Sequence, residues 1–296
     1  MTIVVCLKQV EYVYAVSGDD PASNFISPFD KVRLNNPADE IALDQAVRLR
    51  RELGGEIWVF SLVENLLMDE AVRALALGAD RFIHFWDDQW RYLDAWGLAQ
   101  VLAAGVKQVS ADLVLCGARS MDLMRGEVPA YLAHHLARPL VADVLELDSV
   151  NQSGLLGLKK NLGLGDRLLL EARPPLVVSM DNAAASPPYP SHVNRLKVRP
   201  EQISHWDGAD LGIAEGTPLG FFTLAQENSP RPLPKAIDLL DGDLPAAQRI
   251  KWLLAGKDDA KNFSVLEGPA DELCESLVQY LTKGGFLKAT PLPEEG

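Results

Sequence analysis

The segment 117–128, GARSMDLMRGEV, holds the residue types best suited to contact a charged ligand. It follows an apolar run, DLVLCG, and leads into a predicted helix, PAYLAHHLA. A loop between a strand and a helix presents backbone N–H groups and the positive end of the helix, and both favour an anion such as phosphate. The spacing alone is equally that of an ordinary βα connection, which is the commoner case. Both interpretations stay open at this point.

The usual phosphate-binding signatures are absent from the sequence. There is no GxxxxGK[ST] loop, no GxGxxG after an apolar run and no SGGxDS-like loop of the kind found in ATP pyrophosphatases. Gly163 and Gly165, in NLGLGD, are predicted to form a hairpin turn. These absences argue against a P-loop nucleotidase and against an NAD-dependent dehydrogenase.

The cysteines lack the spacing of a metal or cluster site. Cys6 and Cys116 lie in apolar runs, where a cysteine is most simply a small buried side chain. Together with Cys274 they form no CxxC pair, and their odd number predicts reduced thiols in a cytosol. We therefore expect neither an iron–sulfur cluster nor a zinc site.

The histidines also suggest no catalytic or metal site. His134 and His135 are adjacent on a predicted helix and point in different directions, whereas a two-ligand helical face needs residues i and i+4. Each histidine is expected to be structural or solvated, so no catalytic residue and no metal are predicted. The full set is His84, His134, His135, His192 and His205.

Composition predicts a globular protein with an acidic surface. The 296 residues are 48% hydrophobic and carry a formal charge of −13 with no polybasic stretch, which disfavours binding to nucleic acid. The opening apolar run is too short for a signal sequence, and no apolar run reaches the length needed to cross a bilayer. A cytoplasmic location is the expectation.

The stretch NNPADEIALDQAVRLRRELGG carries clear helix signals. Asn36 is predicted to cap the helix, Pro37 occupies the first turn, and Asp39 and Glu40 complement the helix dipole. Gly54 ends it. This helix is the first one predicted after the apolar strand at the start of the chain.

Short apolar strands alternate with helices through residue 117. The runs 3–7, 56–63 and 81–85 are predicted strands, and helices follow at 68–78 and 93–109. This order predicts an α/β fold, a Rossmann-like doubly wound and mainly parallel sheet. Ligands bind such sheets beyond the carboxyl ends of the strands, at the switch point, so the loops after Leu7, Ser61 and Gly117 are the candidates.

The second half of the chain has a different pattern. Residues 144–178 alternate with period two and predict an antiparallel hairpin extension of the sheet, followed by a last core strand in PLVVSMD. An exposed Pro/Ala/Ser-rich loop follows Asp181. The tail is proline-punctuated and partly helical, with amphipathic helices predicted at 246–254 and 269–283.

These segments together resemble the electron transfer flavoprotein β subunits over roughly residues 1–215. The resemblance lies in VVCLKQV, NNPADEIALDQAVRLRRELGGE, ALALGADRFIHF, DLVLCGARSMD and PLVVSMD, which occur in the family's order. It implies a nucleotide-binding domain over 1–215 with a partner-recognition loop at about 182–198. Residues 216–296 would be an extended C-terminal arm that packs on an α subunit.

The resemblance also implies a heterodimer in which the α subunit holds most of the FAD. The β site holds AMP in ordinary members and a second FAD in electron-bifurcating ones. Tyr189, His192 and Lys197 match the family's docking positions. The positions that match the nucleotide lining are Cys6, Asn36, Pro37, Ala38, Asp39, Leu62, Gly117, Ala118, Arg119, Ser120, Met121, Asp122, Arg125, Gly126, Glu127 and Val128.

Two departures from the family pattern bear on ligand and partner. Glu127 and Val128 replace an amide and a small hydroxyl or valine, and a carboxylate near a phosphate opposes binding unless Arg119 or Arg125 offsets it. His192 stands where the family has an apolar anchor, commonly leucine, which predicts a partner other than a standard acyl-CoA dehydrogenase.

The function implied is that of an electron carrier subunit without substrate chemistry of its own. It accepts electrons from a flavin-dependent dehydrogenase and passes them to a membrane-linked quinone or iron–sulfur oxidoreductase. One alternative is a bifurcating subunit whose second FAD oxidises NADH. Another is a nucleotide-binding α/β protein without redox function.

Overall fold

The fold was obtained as a computed structural model that describes residues 1–14, 28–150, 154–185, 188–222, 268–283 and 286. The chain divides into two compact units, Met1–Arg231 and Pro232–Gly296. The boundary predicted at 215 from the resemblance stays a prediction.

The first unit is built on a nine-stranded, mainly parallel sheet. Its strand order is β11-β5-β4-β1-β6-β10-β7-β8-β9, and β2 and β3 form a separate antiparallel pair. The chain winds outward from β1 to β4 and β5, then returns to the other side of β1 with β6. The strands are β1 Thr2–Cys6, β2 Gln9–Val13, β3 Lys31–Asn35, β4 Glu56–Leu62, β5 Arg81–Phe85, β6 Leu113–Gly117, β7 Leu140–Val150, β8 Leu155–Gly163, β9 Asp166–Ala172, β10 Leu176–Met180 and β11 Ile203–Trp206.

Helices cover both faces of this sheet. One core forms where α1 and α2 pack on the face that carries Val5, and the other where α3 and α4 pack on the face that carries Val4. Strands β6 and β10 are buried along their whole length, as expected for continuous apolar runs between two helix layers. The helices are α1 Pro37–Leu53, α2 Met68–Leu77, α3 Ala95–Gln108, α4 Val128–Leu136 and α5 His192–Leu196.

The predicted doubly wound α/β fold is therefore confirmed. The antiparallel extension is also present, as a meander in which β7 pairs with β8 and β8 with β9. The NLGLGD turn lies at its tip, where Gly163 and Gly165 adopt positive φ angles of 83° and 95°. Strand β10 lies between β6 and β7 in parallel with both, so only the antiparallel pairing of β8 and β9 makes the described sheet mixed.

Three elements were not predicted. The sequence analysis assigned no element to the β2–β3 pair, and the four-residue strand β11 is too short to give a periodic signal. The loop after Asp181 ends in the short helix α5, because the Ser191 hydroxyl accepts a hydrogen bond from the Asn194 backbone N–H at 3.2 Å. The Asn194 side chain also donates to the Ala76 carbonyl at 3.3 Å, which attaches α5 to α2.

The second unit contains one described helix, α6 Ala270–Lys283, at the position predicted for 269–283. Leu277 and Tyr280 of its apolar stripe are exposed. The helix predicted at 246–254 lies outside the described residues. In the parts of the chain that the structure describes, no helix combines the length and apolarity needed to cross a membrane.

Candidate functional site

A cleft of about 200 Å³ opens at the carboxyl ends of β1, β4 and β6. Strands β1 and β6 are neighbours whose following connections run to opposite sides of the sheet, so the cleft lies at the switch point. Residues at the start of α1, α3 and α4 line it: Asn36, Ala95 and Val128. Three positive helix ends therefore meet around one space, which favours a negatively charged ligand.

Asp39, in the first turn of α1, ties together the two strand ends that form the floor. One carboxylate oxygen accepts from the Lys8 backbone N–H at 2.8 Å, and the other accepts from the Gly117 N–H at 2.7 Å. The side chain is buried, and burial raises the pKa of Asp39 to about 6 despite those hydrogen bonds. Both oxygens are thus already engaged in holding the site together.

Asn36 occupies the cap position of α1, but its side chain makes no capping hydrogen bond. This corrects the predicted role. Its amide donates to the Arg119 carbonyl at 3.1 Å, and its oxygen accepts from the Met121 N–H at 3.1 Å. These two hydrogen bonds tie the loop after β6 to the start of α1, so Asn36 positions the loop.

The loop between β6 and α4 is held over the cleft at two further points. Lys8 and Asp122 form an ion pair of 2.6 Å. Burial acts to raise the pKa of Asp122. The pKa nevertheless lies below its ordinary value, because Lys8 and Ser120 each form a hydrogen bond with the carboxylate and Lys8 adds its positive charge. At Gly126, with φ of 69°, a Cβ atom would lie 2.8 Å from the Ala118 carbonyl oxygen, so the loop requires glycine there.

The floor of the cleft is apolar. Cys6 and Cys116 are register partners in β1 and β6, and both are buried and reduced. The Cys6 hydrogen bond and burial raise the pKa of the Cys116 thiol well above its ordinary value, so it stays neutral. Phe60, Leu98 and Leu102 complete this part of the lining. A flat apolar group such as a nucleobase suits this surface.

The charges at the rim have both signs. Lys8, Arg119 and Arg125 line the cleft as cations, and Asp94 and Glu127 as carboxylates. The Asp94 carboxylate caps α3, because it accepts a hydrogen bond from the Gly97 N–H at 2.8 Å. Glu127 makes no ion pair within the described residues, so its charge is not neutralised there.

Most of the predicted nucleotide positions come together in this cleft, whereas Pro37, Ala38, Met121 and Asp122 lie beside it. The members of the predicted set that line the cleft are Cys6, Asn36, Asp39, Leu62, Gly117, Ala118, Arg119, Ser120, Arg125, Gly126, Glu127 and Val128. The lining residues that are not among the predicted nucleotide positions are Leu7, Lys8, Phe60, Leu93, Asp94, Ala95, Leu98, Leu102, Cys116, Leu123 and Pro129.

Two signals could have found part of this second set. Lys8 is the second residue after the first strand, and the end of a strand at a switch point faces the ligand space. Asp94 precedes a helix, where an aspartate is a favoured cap, and the cap of a βα connection lies at the same end of the sheet.

The predicted docking residues lie apart from this lining, on residues 188–197, the predicted docking segment. This segment packs against α2. Tyr189, His192 and Lys197 are all exposed. Arg73 of α2 holds the segment: its guanidinium donates to the Pro188 carbonyl at 3.0 Å and lies 5.4 Å from the centre of the Tyr189 ring.

Arg73 is itself fixed by a buried carboxylate. It donates to both oxygens of Glu40, at 2.5 and 3.0 Å, and Glu40 is 4% exposed. The Glu40 hydrogen bond and charge raise the pKa of Arg73 further above its ordinary value. The docking segment is thus anchored to the first turn of α1, one residue after Asp39.

Comparison with known proteins gives a consistent result. The electron transfer flavoprotein domain model matches residues 31–211. The chain is 26% identical to the electron transfer flavoprotein subunit beta of Clostridium acetobutylicum over 213 residues, covering 72% of this chain and 81% of that protein. It is also 26% identical to the caffeyl-CoA reductase-Etf complex subunit CarD of Acetobacterium woodii, covering 72% and 81%.

A third relative, protein FixA of Rhizobium meliloti, is 26% identical over 229 residues, covering 73% of this chain and 75% of that protein. The matched region includes α1, the loop between β6 and α4 and the docking segment. The chain belongs to the electron transfer flavoprotein family and is of the β-subunit type.

Proposed function

We propose that this chain is the β subunit of a heterodimeric electron transfer flavoprotein and that its cleft holds AMP. The observation that carries the proposal is the cleft at the switch point, at which three helices begin. The chain performs no substrate chemistry of its own. Its contribution is to hold a nucleotide, complete the complex with the α subunit and present a docking segment.

The residues around the cleft fit a nucleotide monophosphate. Lys8, Arg119 and Arg125 supply positive charge, and the start of α4 supplies backbone N–H groups for the phosphate. The apolar floor suits the base. Glu127 opposes phosphate binding, because its carboxylate also lines the cleft and repels a negatively charged ligand. The positive charges of Arg119 and Arg125 would have to outweigh this repulsion.

We assign the redox flavin mainly to the α subunit. A bound FAD supplies the reversible electron transfer, while the protein sets its position and surroundings. Electrons would come from a flavin-dependent dehydrogenase and leave to a membrane-linked quinone or iron–sulfur oxidoreductase, with the carrier in the cytoplasm. His192, an exposed imidazole where the family carries an apolar anchor, points to a specialised dehydrogenase.

An apolar surface suited to the α subunit lies on the β8–β9 hairpin. Leu164 and Leu169 are exposed there, and β9 is an open edge of the sheet. Exposed apolar groups of this kind mark protein interfaces more often than free surface. The C-terminal arm would add a second contact, as Leu277 and Tyr280 of α6 are exposed within their own unit.

The test is to co-express the chain with its α subunit, purify the complex without added cofactor, and measure FAD and AMP released per heterodimer. One FAD and one AMP support the proposal. Two FAD and no AMP would instead indicate the bifurcating alternative, in which a second flavin occupies this cleft. A chain that forms no complex and carries no flavin contradicts the electron-carrier function.

A double variant connects the nucleotide to this cleft. Replacing Arg119 and Arg125 with methionine removes two of the three rim cations, so the complex should lose its AMP and keep its FAD. The matched control is Arg51→Met, which removes an exposed arginine from the last turn of α1, away from the cleft and from the proposed α-subunit surface, and should leave AMP unchanged. Retention of AMP by the double variant would place the nucleotide elsewhere.

A further inference from the structure

Two histidines outside the cleft stand side by side at the edge of the sheet. His84 lies in β5 and His205 in β11, and they are register partners in a parallel pair. Parallel strands run about 4.8 Å apart, so partner side chains on one face can touch. The two Nδ1 atoms are 3.2 Å apart. His205 is exposed and His84 is half-buried, so solvent reaches the pair from one side.

The hydrogen bonds fix the tautomer of His84. Its Nε2 lies 2.6 Å from the carbonyl oxygen of Val63. A carbonyl only accepts, so Nε2 carries the proton and Nδ1 of the neutral ring has a free lone pair. Histidines that bind metals commonly donate their other N–H to a backbone carbonyl, which orients the ring as His84 is oriented here.

We propose that His84 and His205 form a two-imidazole site for a divalent first-row transition ion such as Cu²⁺ or Zn²⁺. The ion replaces the proton shared by the two Nδ1 atoms, and that proton moves to Nε2 of the exposed His205 ring. Two metal–nitrogen bonds of about 2.0–2.1 Å that span the 3.2 Å separation meet at an angle of about 100°. This angle lies between the square-planar and tetrahedral values.

The ligand set defines the class of ion. Imidazole nitrogen suits Cu²⁺, Ni²⁺ and Zn²⁺, whereas Mg²⁺ and Ca²⁺ prefer oxygen. Within the described ranges, no three His, Cys, Asp or Glu side chains lie close enough to hold one ion. Water therefore fills the remaining positions, which makes this an exchangeable site with Cu²⁺ bound more tightly than Zn²⁺. The site is independent of the proposed electron-carrier function.

The test is isothermal titration calorimetry of the untagged full chain with Cu²⁺ and with Zn²⁺. The wild-type chain should bind one equivalent of Cu²⁺ at this site. His205→Ala should lower the Cu²⁺ affinity by about tenfold or more, because one of two imidazole bonds is lost. Its side chain is exposed, so the variant should fold. Wild-type affinity in His205→Ala, or no binding by the wild-type chain, overturns the proposal.

Two further variants complete the design. His84→Gln keeps an amide N–H for the Val63 carbonyl but removes the second imidazole, so it should show the same loss as His205→Ala. His192→Ala removes an equally exposed imidazole from α5 and should bind as wild type does. If His192→Ala lost the ion and His205→Ala kept it, the ion would bind at α5 and the assignment would be wrong.

Discussion

The first turn of α1 carries two consecutive carboxylates that are buried in different ways. Asp39 faces the cleft, and backbone N–H groups of Lys8 and Gly117 solvate it. Glu40 faces the docking segment, and the guanidinium of Arg73 neutralises it. The first arrangement fixes two loops but leaves a charge that burial disfavours. The second fixes a surface segment through an ion pair.

This difference assigns separate roles to neighbouring residues. A buried carboxylate that is held by hydrogen bonds and not by an ion pair is more easily protonated, so the contribution of Asp39 to stability should depend on pH. A carboxylate paired with arginine is stabilised by that partner. Removing the arginine should therefore lower the stability of the protein and loosen the docking segment. Because both lie in one turn of one helix, a change at either residue can be compared with little difference in context.

The largest effect is expected at Arg73. Replacing it with methionine leaves Glu40, 4% exposed, without its charged partner. Removing one member of a buried ion pair costs about 3–5 kcal/mol, so Arg73→Met should lower the free energy of unfolding by that amount in urea denaturation. The double variant with Glu40→Gln should recover most of the loss, since position 40 then no longer buries an unpaired charge.

The matched control is the ion pair between Arg48 and Asp44, one turn apart on the exposed part of α1. Arg48→Met should change the unfolding free energy by no more than about 0.5 kcal/mol, because exposed pairs contribute little. Equal losses in Arg48→Met and Arg73→Met would show that Glu40 is not held as a buried charge.

The next effect concerns the pH dependence of Asp39. Because the folded-state pKa is raised to about 6, the folded protein binds this proton more tightly than the unfolded chain does. The contribution of Asp39 to stability should therefore be greatest below about pH 4 and be lost as pH rises to about 6. The size is on the order of 3 kcal/mol for a shift of about two units.

Asp39→Asn isolates this contribution, because its side chain does not titrate. Urea denaturation between pH 4 and pH 7 should show a decline in the wild type that the variant lacks. Asp94 contributes with the opposite sign. Burial acts to raise its pKa, but hydrogen bonds from Gly97, Phe221 and Phe222 outweigh burial and lower it, so the stability that Asp94 provides is lost only below about pH 4. Asp94→Asn should therefore keep the wild-type decline between pH 4 and pH 7. Parallel wild-type and Asp39→Asn curves would contradict the buried-carboxylate assignment.

The order of the strands and helices and the position of the cleft could be predicted from the sequence better than the side-chain contacts of α1. Alternating strands and helices with clear stop signals define the doubly wound sheet, and the switch-point rule places the cleft at the loops after β1 and β6. Both features follow from local pattern and from the geometry of parallel sheets.

The contacts of α1 did not follow from local pattern. Asn36, Asp39 and Glu40 fit the ordinary rules for a helix start, so capping and dipole roles were the natural prediction. The partners through which they hold the strand ends, the loop after β6 and Arg73 lie 31 to 85 residues away along the chain. Helix α5 was missed for a related reason, since its attachment to α2 depends on Asn194 reaching the Ala76 carbonyl.

The smallest of the three effects tests the close approach of β6 to α1. At Gly117 a Cβ atom would lie 2.4 Å from the Asp39 carboxylate oxygen and 2.6 Å from the Ala38 Cβ. Asp39 is held by its two backbone hydrogen bonds and Ala38 belongs to the helix, so neither can move freely. Gly117→Ala should lower the free energy of unfolding by about 1–3 kcal/mol, the usual cost of overpacking.

Gly157→Ala in β8 is the matched control, because the nearest atom to its added methyl would be the Val150 Cγ2 at 3.3 Å, the end of a side chain. Its unfolding free energy should stay within about 0.5 kcal/mol of wild type. The effects of Gly117→Ala and Asp39→Asn on the unfolding free energy should not add, since both substitutions disturb the same hydrogen bond from the Gly117 N–H. A strictly additive double variant would mean that Asp39 and Gly117 act independently, and that the cleft side of α1 is not tied to β6 through this carboxylate.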